Sequence, residues 1–238
     1  MPHGSPASSY RLGTVKICGT TSVVDRDLAA DANADYFGVL VDVGYSPRSL
    51  TLDQAKPLFE SPPIPGVVLL FDPSGSRVQA VVEQLDPFAV QLIGRETPES
   101  LASLKTVLEC QVWKSLHMPA RGLGSIDVES MGILAEEYED SGADVILFST
   151  VDSSSGTTRF GTGLVGDWGL IRGLVDGRTV PTFLGGGLHA DNVISALQLV
   201  KPNGIEVCSG VESSPGKKDP QKLARLFEVL APLRAEKP

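Results

Sequence analysis

Cys18 is the residue with the plainest chemical use in this sequence. It ends the run Thr14-Val15-Lys16-Ile17-Cys18-Gly19, a β-type segment with a lysine two residues before the thiol and a glycine turn after it. Alternation along a strand puts residues i and i+2 on one side, so Lys16 and Cys18 share a face. A cation there favours the thiolate, which can act as a base or nucleophile. A small buried core residue is the other common fate of a free cysteine, and position alone leaves both open. Arg48, in Ser46-Pro47-Arg48, carries a fork that can clamp a carboxylate, with a solvated surface arginine as the alternative. Two glycine-bearing stretches, Leu184-Gly185-Gly186-Gly187-Leu188 and Cys208-Ser209-Gly210-Val211-Glu212, suit a phosphate cradle built from backbone amides. Plain turn glycines are the alternative there. Asp152, Ser153 to Ser155 and Arg159 lie in a polar stretch from Thr150 to Val165, the kind of segment that serves as a lid. His117 can carry a proton or serve as a hydrogen-bonded structural residue.

The elements that must position these residues alternate regularly. Apolar runs at 14–18, 36–41, 67–71, 88–92, 111–116, 144–148, 180–184 and 204–208 read as strands buried on both faces. Between and after them, helical spacing recurs at 25–34, 51–59, 76–85, 98–108, 126–141, 167–175, 190–200 and 219–233. Thr51 suits a cap for the second helix, with Asp53 in its first turn. Eight βα units in about 240 residues predict an α/β fold, a single-domain (β/α)8 TIM barrel over 14–238, in preference to a doubly wound open sheet. Residues 1–13 read as a flexible N-terminal tail. In such a barrel the chemistry sits at the C-terminal ends of the strands, where Cys18, Arg48 and both glycine stretches fall.

Composition narrows the partners. A formal charge of −9 over 238 residues argues against nucleic acid or an acidic membrane surface as a general partner. No apolar run approaches the roughly 20 residues of a membrane span, and the N-terminal dozen lacks the apolar core of a secretory signal. Three scattered cysteines (Cys18, Cys110, Cys208) and three scattered histidines predict reduced thiols, no metal and a cytoplasmic location. Cys110 and Cys208 read as core or strand residues, not catalysts. Gly161-Thr162-Gly163-Leu164-Val165-Gly166 has the spacing of a dinucleotide fingerprint. It does not follow directly on a strand, and no suitable acidic residue ends a second strand downstream, which argues against a nicotinamide or flavin.

Lys16-Ile17-Cys18-Gly19-Thr20 resembles the opening of the phosphoribosylanthranilate isomerases of tryptophan biosynthesis. The resemblance runs on through Ala34-Asp35-Tyr36-Phe37-Gly38, Ser46-Pro47-Arg48, Val90-Gln91-Leu92 with Gly94 and Glu96, and Gly161-Thr162-Gly163 with Asp167-Trp168. It ends in Gly186-Gly187-Leu188, Asn192-Val193 and Ser209-Gly210-Val211-Glu212 through Asp219. It implies an Amadori rearrangement of N-(5-phosphoribosyl)anthranilate to its 1-deoxyribulose 5-phosphate form. A general acid opens the furanose ring and a base removes the C2 proton, with no metal or organic cofactor. Cys18 would be the base, Lys16, Arg48 and Gln91 would contact substrate, and Gly186, Gly187, Ser209 and Gly210 would hold the phosphate. The substrate would be a small phosphorylated sugar and the protein a monomer or homodimer.

The sequence departs from that pattern at four places. Ser149 stands where the family's general-acid aspartate ends the sixth strand, which makes Ser149 itself or the nearby Asp152 the candidate for that role. Ile93 replaces a usual histidine, Phe160 a usual glycine and Glu206 a usual aspartate. Two other readings therefore accompany the isomerase: a paralogue that keeps the Cys18 base for a different phosphorylated sugar or aminosugar, and a non-catalytic phosphate-ligand-binding protein.

Overall fold

The computed structural model describes Tyr10, residues 12–152 and residues 163–235. The strands of the ring are β1 (Thr14–Ile17), β2 (Tyr36–Val41), β4 (Gly66–Leu70), β5 (Ala89–Leu92), β6 (Gln111–Pro119), β7 (Val145–Val151), β8 (Thr182–Gly185) and β9 (Gly204–Val207). Each pairs in parallel with its neighbours, and β1 pairs with both β2 and β9, so the sheet closes into the expected barrel. The helices are α1 (Val23–Asp31), α2 (Leu52–Phe59), α3 (Gly75–Leu85), α4 (Pro98–Lys105), α5 (Val128–Asp140), α6 (Trp168–Val175), α7 (Val193–Val200) and α8 (Pro220–Ala235). Thr51 caps α2 as the sequence suggests: its hydroxyl accepts from the Gln54 N–H at 3.3 Å and the Gln54 side chain accepts from the Thr51 N–H at 2.9 Å.

Three short strands are additions to the expected set. β3 (Ser49–Leu50) pairs with the end of β2, and β10 (Glu212–Ser214) forms a hairpin with β11 (Lys217–Lys218). Two ring strands are longer than their apolar runs. β6 and β7 stay paired from Trp113 and Val145 up to Pro119 and Val151, so His117 and Ser149 stand within strands and not in the loops after them. Their polar side chains face inward, which is why these rungs look like loop in the sequence.

Strand alternation sorts the side chains into two cores. Val15, Ile17, Phe37, Val39, Val68, Val90, Ile146, Ile205 and their like face the helices. Tyr36, Val67, Leu69, Ala89, Trp113, Val145, Leu147 and Phe183 fill the barrel interior. Tyr10 joins the interior group, and this corrects the expectation of a flexible tail at that residue. Its ring lies 5.6 Å from Phe183, 6.0 Å from Tyr36 and 6.1 Å from Trp113, and its hydroxyl donates to Gln111 Oε1 at 2.7 Å. It plugs the end of the barrel opposite the C-terminal ends of the strands. Residues 1–9 lie outside the described residues.

Tyr10→Ala should therefore lower the unfolding free energy by about 3 kcal/mol, in the range for loss of a buried aromatic, and Tyr10→Phe by only about 1 kcal/mol for the lost hydrogen bond. Urea denaturation measures both; unchanged stability in Tyr10→Ala would show that the plug does not form.

Candidate active site

The site is built from the barrel axis upward. Lys16 is fully buried, and its ammonium donates to Gln91 Oε1 at 2.5 Å and to the Glu206 carboxylate. Cys18 Sγ accepts from it at 3.8 Å, and the Trp113 ring centroid lies 5.8 Å away. Gln91 Nε2 donates in turn to Ser115 Oγ at 2.9 Å and to Glu206 Oε2 at 3.3 Å. Gly38 makes the room: a methyl group in place of its hydrogen would stand 2.9 Å from Lys16 Cε. Burial works against the lysine's charge, but the Cys18 and Glu206 groups around it hold its pKa above the ordinary value.

At the mouth above this cluster lies a cavity of about 810 Å³, its open entrance included. Cys18, Arg48, Gln91, Ser149, Gly186, Gly187 and Ser209 line it, so seven of the residues singled out in the sequence meet in one space. Three do not reach it. Lys16 lies beneath Cys18, Asp152 is buried at the end of β7, and Gly210 packs against the Leu188 carbonyl behind the wall. Phe160 and the segment 153–162 lie outside the described residues.

Arg48 is fixed by a partner that no local pattern signals. Its Nε donates to Glu212 Oε1 at 2.9 Å and its Nη2 to Glu212 Oε2 at 2.7 Å, a two-point grip across 164 positions in the chain. Lys218 Nζ donates to the same carboxylate at 3.0 Å and to the Cys18 carbonyl at 2.5 Å. Arg48 Nη1 donates to none of the described residues, which leaves that edge of the guanidinium for a ligand in the cavity. Burial alone would raise the Glu212 pKa; the Arg48 and Lys218 charges outweigh it and hold the carboxyl below the usual range.

On the opposite side, Gly186 and Gly187 take positive φ angles of 96° and 63°, which bring the backbone to the cavity edge. Asn192 sets this turn, donating to the Gly187 carbonyl at 2.9 Å and accepting from the His189 N–H at 2.9 Å. Ser209 arrives from the turn after β9, while Gly163 and Leu164 close the cradle.

Three further lining residues complete the site: His117, whose alternatives of proton carrier and structural residue were left open by the sequence, Glu206 and Cys208. His117 lines the cavity with its Nε2 at 2.8 Å from the Ile93 carbonyl, and burial pushes its pKa down. Glu206 and Cys208 both face the cavity, against the reading of Cys208 as an ordinary strand or core residue. Strand alternation was the available signal, since Glu206 on β9 and Cys208 just after it fall two apart, as do Lys16 on β1 and Cys18 just after it. The neighbouring Cys208 thiol and then burial push Cys18 upward, while the Cys18 thiol, with Lys218 and Arg48 nearby, draws Cys208 down. Other motif residues are architectural: Glu96 accepts from the Asp72 N–H at 2.9 Å and Lys114 Nζ at 2.6 Å. Among the described residues no group of His, Cys, Asp and Glu could hold a metal ion, and no helix is long and apolar enough to cross a membrane.

Residues 15–229 match the family described as N-(5'phosphoribosyl)anthranilate (PRA) isomerase. The chain belongs to this family. It is 38% identical over 217 residues to the N-(5'-phosphoribosyl)anthranilate isomerase of Methanocella arvoryzae, covering 90% of this chain and 95% of the relative. It is 36% identical over 229 residues to that of Azorhizobium caulinodans, covering 94% of each. The solved phosphoribosyl anthranilate isomerase of Thermococcus kodakaraensis superposes with a TM-score of 0.75 at 28% identity, covering 91% of this chain and 98% of the other.

Glu212→Gln should destabilise the protein by about 3–5 kcal/mol at neutral pH, because it strips a buried guanidinium and ammonium of their counter-charge. A depressed carboxyl stabilises fully above its unfolded pKa of about 4.3 and loses that contribution as pH falls through the folded value. The gap between wild type and Glu212→Gln, measured by urea denaturation across pH, should therefore close under acid conditions. A gap that stays constant with pH would contradict the ion-pair account.

Proposed function

We propose that this chain acts as its family does, as an N-(5'-phosphoribosyl)anthranilate isomerase of tryptophan biosynthesis. One observation carries the reading: a single cavity joins a thiol, the free edge of a fixed arginine and a glycine-turn cradle. That arrangement suits a molecule with a carboxylate at one end, a phosphate at the other and a reacting sugar carbon between them. Arg48 Nη1 receives the anthranilate carboxylate and the turns at Gly186, Gly187 and Ser209 receive the phosphate. Anchoring both anionic ends holds the sugar over Cys18. The relatives give no support to the paralogue or the non-catalytic binder. Reduced pocket thiols fit a cytoplasmic protein, working as a monomer or homodimer.

Cys18 is the base that removes the C2 proton, and Lys16 beneath it stabilises the thiolate. Opening the furanose ring needs a proton on its oxygen. Asp152 does not line the cavity, and the Ser149 hydroxyl is a weak acid. Glu206 fills the gap. The position a methyl group would take on Gly185 lies 3.5 Å from both Ser149 Oγ and Glu206 Oε1, so this carboxyl reaches the space beside Ser149. Its Oε1 accepts from none of the described donors, while Oε2 is held by Lys16 and Gln91. Lys16 contacts both groups, so a proton leaving the Cys18 thiol and passing across the ammonium to Glu206 creates the base and the acid together.

Purified protein should convert phosphoribosylanthranilate, followed by loss of its fluorescence. Cys18→Ser and Glu206→Gln should each lower kcat by about 10²–10⁴, with circular dichroism confirming the fold. Adding Ser149→Asp to Glu206→Gln should restore part of the loss. Absence of turnover by folded wild-type protein would refute the isomerase, and full activity in Glu206→Gln would refute its role as acid.

A further inference from the structure

Cys208 is a buried nucleophile that the proposed reaction does not use. The β1–β9 register runs from Thr14 and Gly204 to Ile17 and Val207, and the Cys18 N–H continues it by donating to the Val207 carbonyl at 2.9 Å. Cys18 and Cys208 are thus the next pair on the ladder. Paired strands lie about 4.7–4.9 Å apart, which is within the Cα separation of about 4.4–6.8 Å that a disulfide needs. Both residues line the cavity, and the Cys208 thiol also donates to Glu212 Oε1 at 3.7 Å. The Cys208 sulfur leans over the end of β1: a methyl group on Gly19 would meet it at 2.8 Å. Backbone freedom exists on both sides, since Gly19 has a φ of 70° and Cys208 leaves the strand with φ −122° and ψ −87°.

We propose that Cys18 and Cys208 form a reversible oxidation site, a dithiol that closes to a disulfide and withdraws the base from the reaction. The oxidant is a peroxide. The Cys208 thiolate, with Arg48 and Lys218 beside it, attacks one peroxide oxygen, breaking the O–O bond and giving a sulfenic acid and hydroxide. The Cys18 sulfur then attacks that sulfenic sulfur, forming the S–S bond. The sulfenic oxygen leaves as hydroxide, and the Cys18 proton and one from solvent complete two waters. Two thiols are oxidised by two electrons and one peroxide is reduced. A small dithiol reverses the change by exchange. Cys110, whose thiol is pushed up to about 11 by burial, lies elsewhere and provides the internal control.

The test is peptide mapping and intact mass after limited hydrogen peroxide treatment, with isomerase activity measured alongside. Wild-type protein and Cys110→Ser should lose two hydrogens in mass, yield a Cys18–Cys208 cross-linked peptide, and lose activity about 100-fold with recovery in dithiothreitol. Cys208→Ser should yield no cross-link after the same treatment. A wild-type protein in which Cys18 is oxidised to sulfinic acid with no cross-link, or in which Cys110 forms the bridge, would overturn the proposal. The inference rests on the isomerase reading only for its activity readout. The cross-link is read by mass, so failure of that reading leaves this one decided.

Discussion

The ion pair between Lys16 and Glu206 on the barrel axis is the constraint from which the site follows. Taking an ammonium and a carboxylate out of water costs several kcal/mol for each ion, and the pair persists only where further hydrogen bonds and exclusion of competing water support it. Gln91 supplies such bonds by accepting from Lys16 and donating to Glu206, and the small Gly38 leaves the channel that the lysine occupies. Aromatic rings from Tyr10, Tyr36, Trp113 and Phe183 seal the barrel beneath it. With the floor apolar and the pair fixed, Cys18 sits at the boundary between a dry interior and the open mouth, where a thiol can lose its proton to a neighbour already in place.

A second charged group ties the mouth together. Glu212 binds Arg48 and Lys218, and Lys218 reaches back to the Cys18 carbonyl. The end of the first strand, the loop after the second and the hairpin after the last are thereby joined through one carboxylate. The carboxylate that joins these three segments is also the one that aims the arginine. Fold and substrate geometry share the same residues here, so a change at Glu212 acts on both.

Much of the fold was legible because parallel strands covered on both sides must be apolar throughout, as in Val67 to Leu70 or Val145 to Phe148. The reading stopped short where strands carried inward polar residues: His117 and Ser149 follow the apolar runs of β6 and β7, yet the pairing continues past them. Tyr10 was hidden for a different reason, since a lone aromatic in a polar segment has no periodicity to announce it. In the site, Cys18, Arg48 and the glycine turns were visible from strand-end position. The Arg48–Glu212 grip and the meeting of Cys18 with Cys208 were not, because both depend on closure between segments far apart in the chain.

The departures from the family pattern take on a shared sense in this geometry. Serine at 149 leaves space beside Gly185, and glutamate at 206, longer by one methylene than the usual aspartate, extends a carboxyl oxygen to the edge of that space. The most direct test of the account is a crystal structure with the reduced, unreactive form of the isomerase product. Its carboxylate should lie on Arg48 Nη1, its phosphate against Gly187 and Ser209, and its C2 over the Cys18 sulfur with Glu206 facing the oxygen released on ring opening. A ligand bound in the reverse sense, or one that leaves Arg48 untouched and Cys18 remote from the sugar, would contradict it.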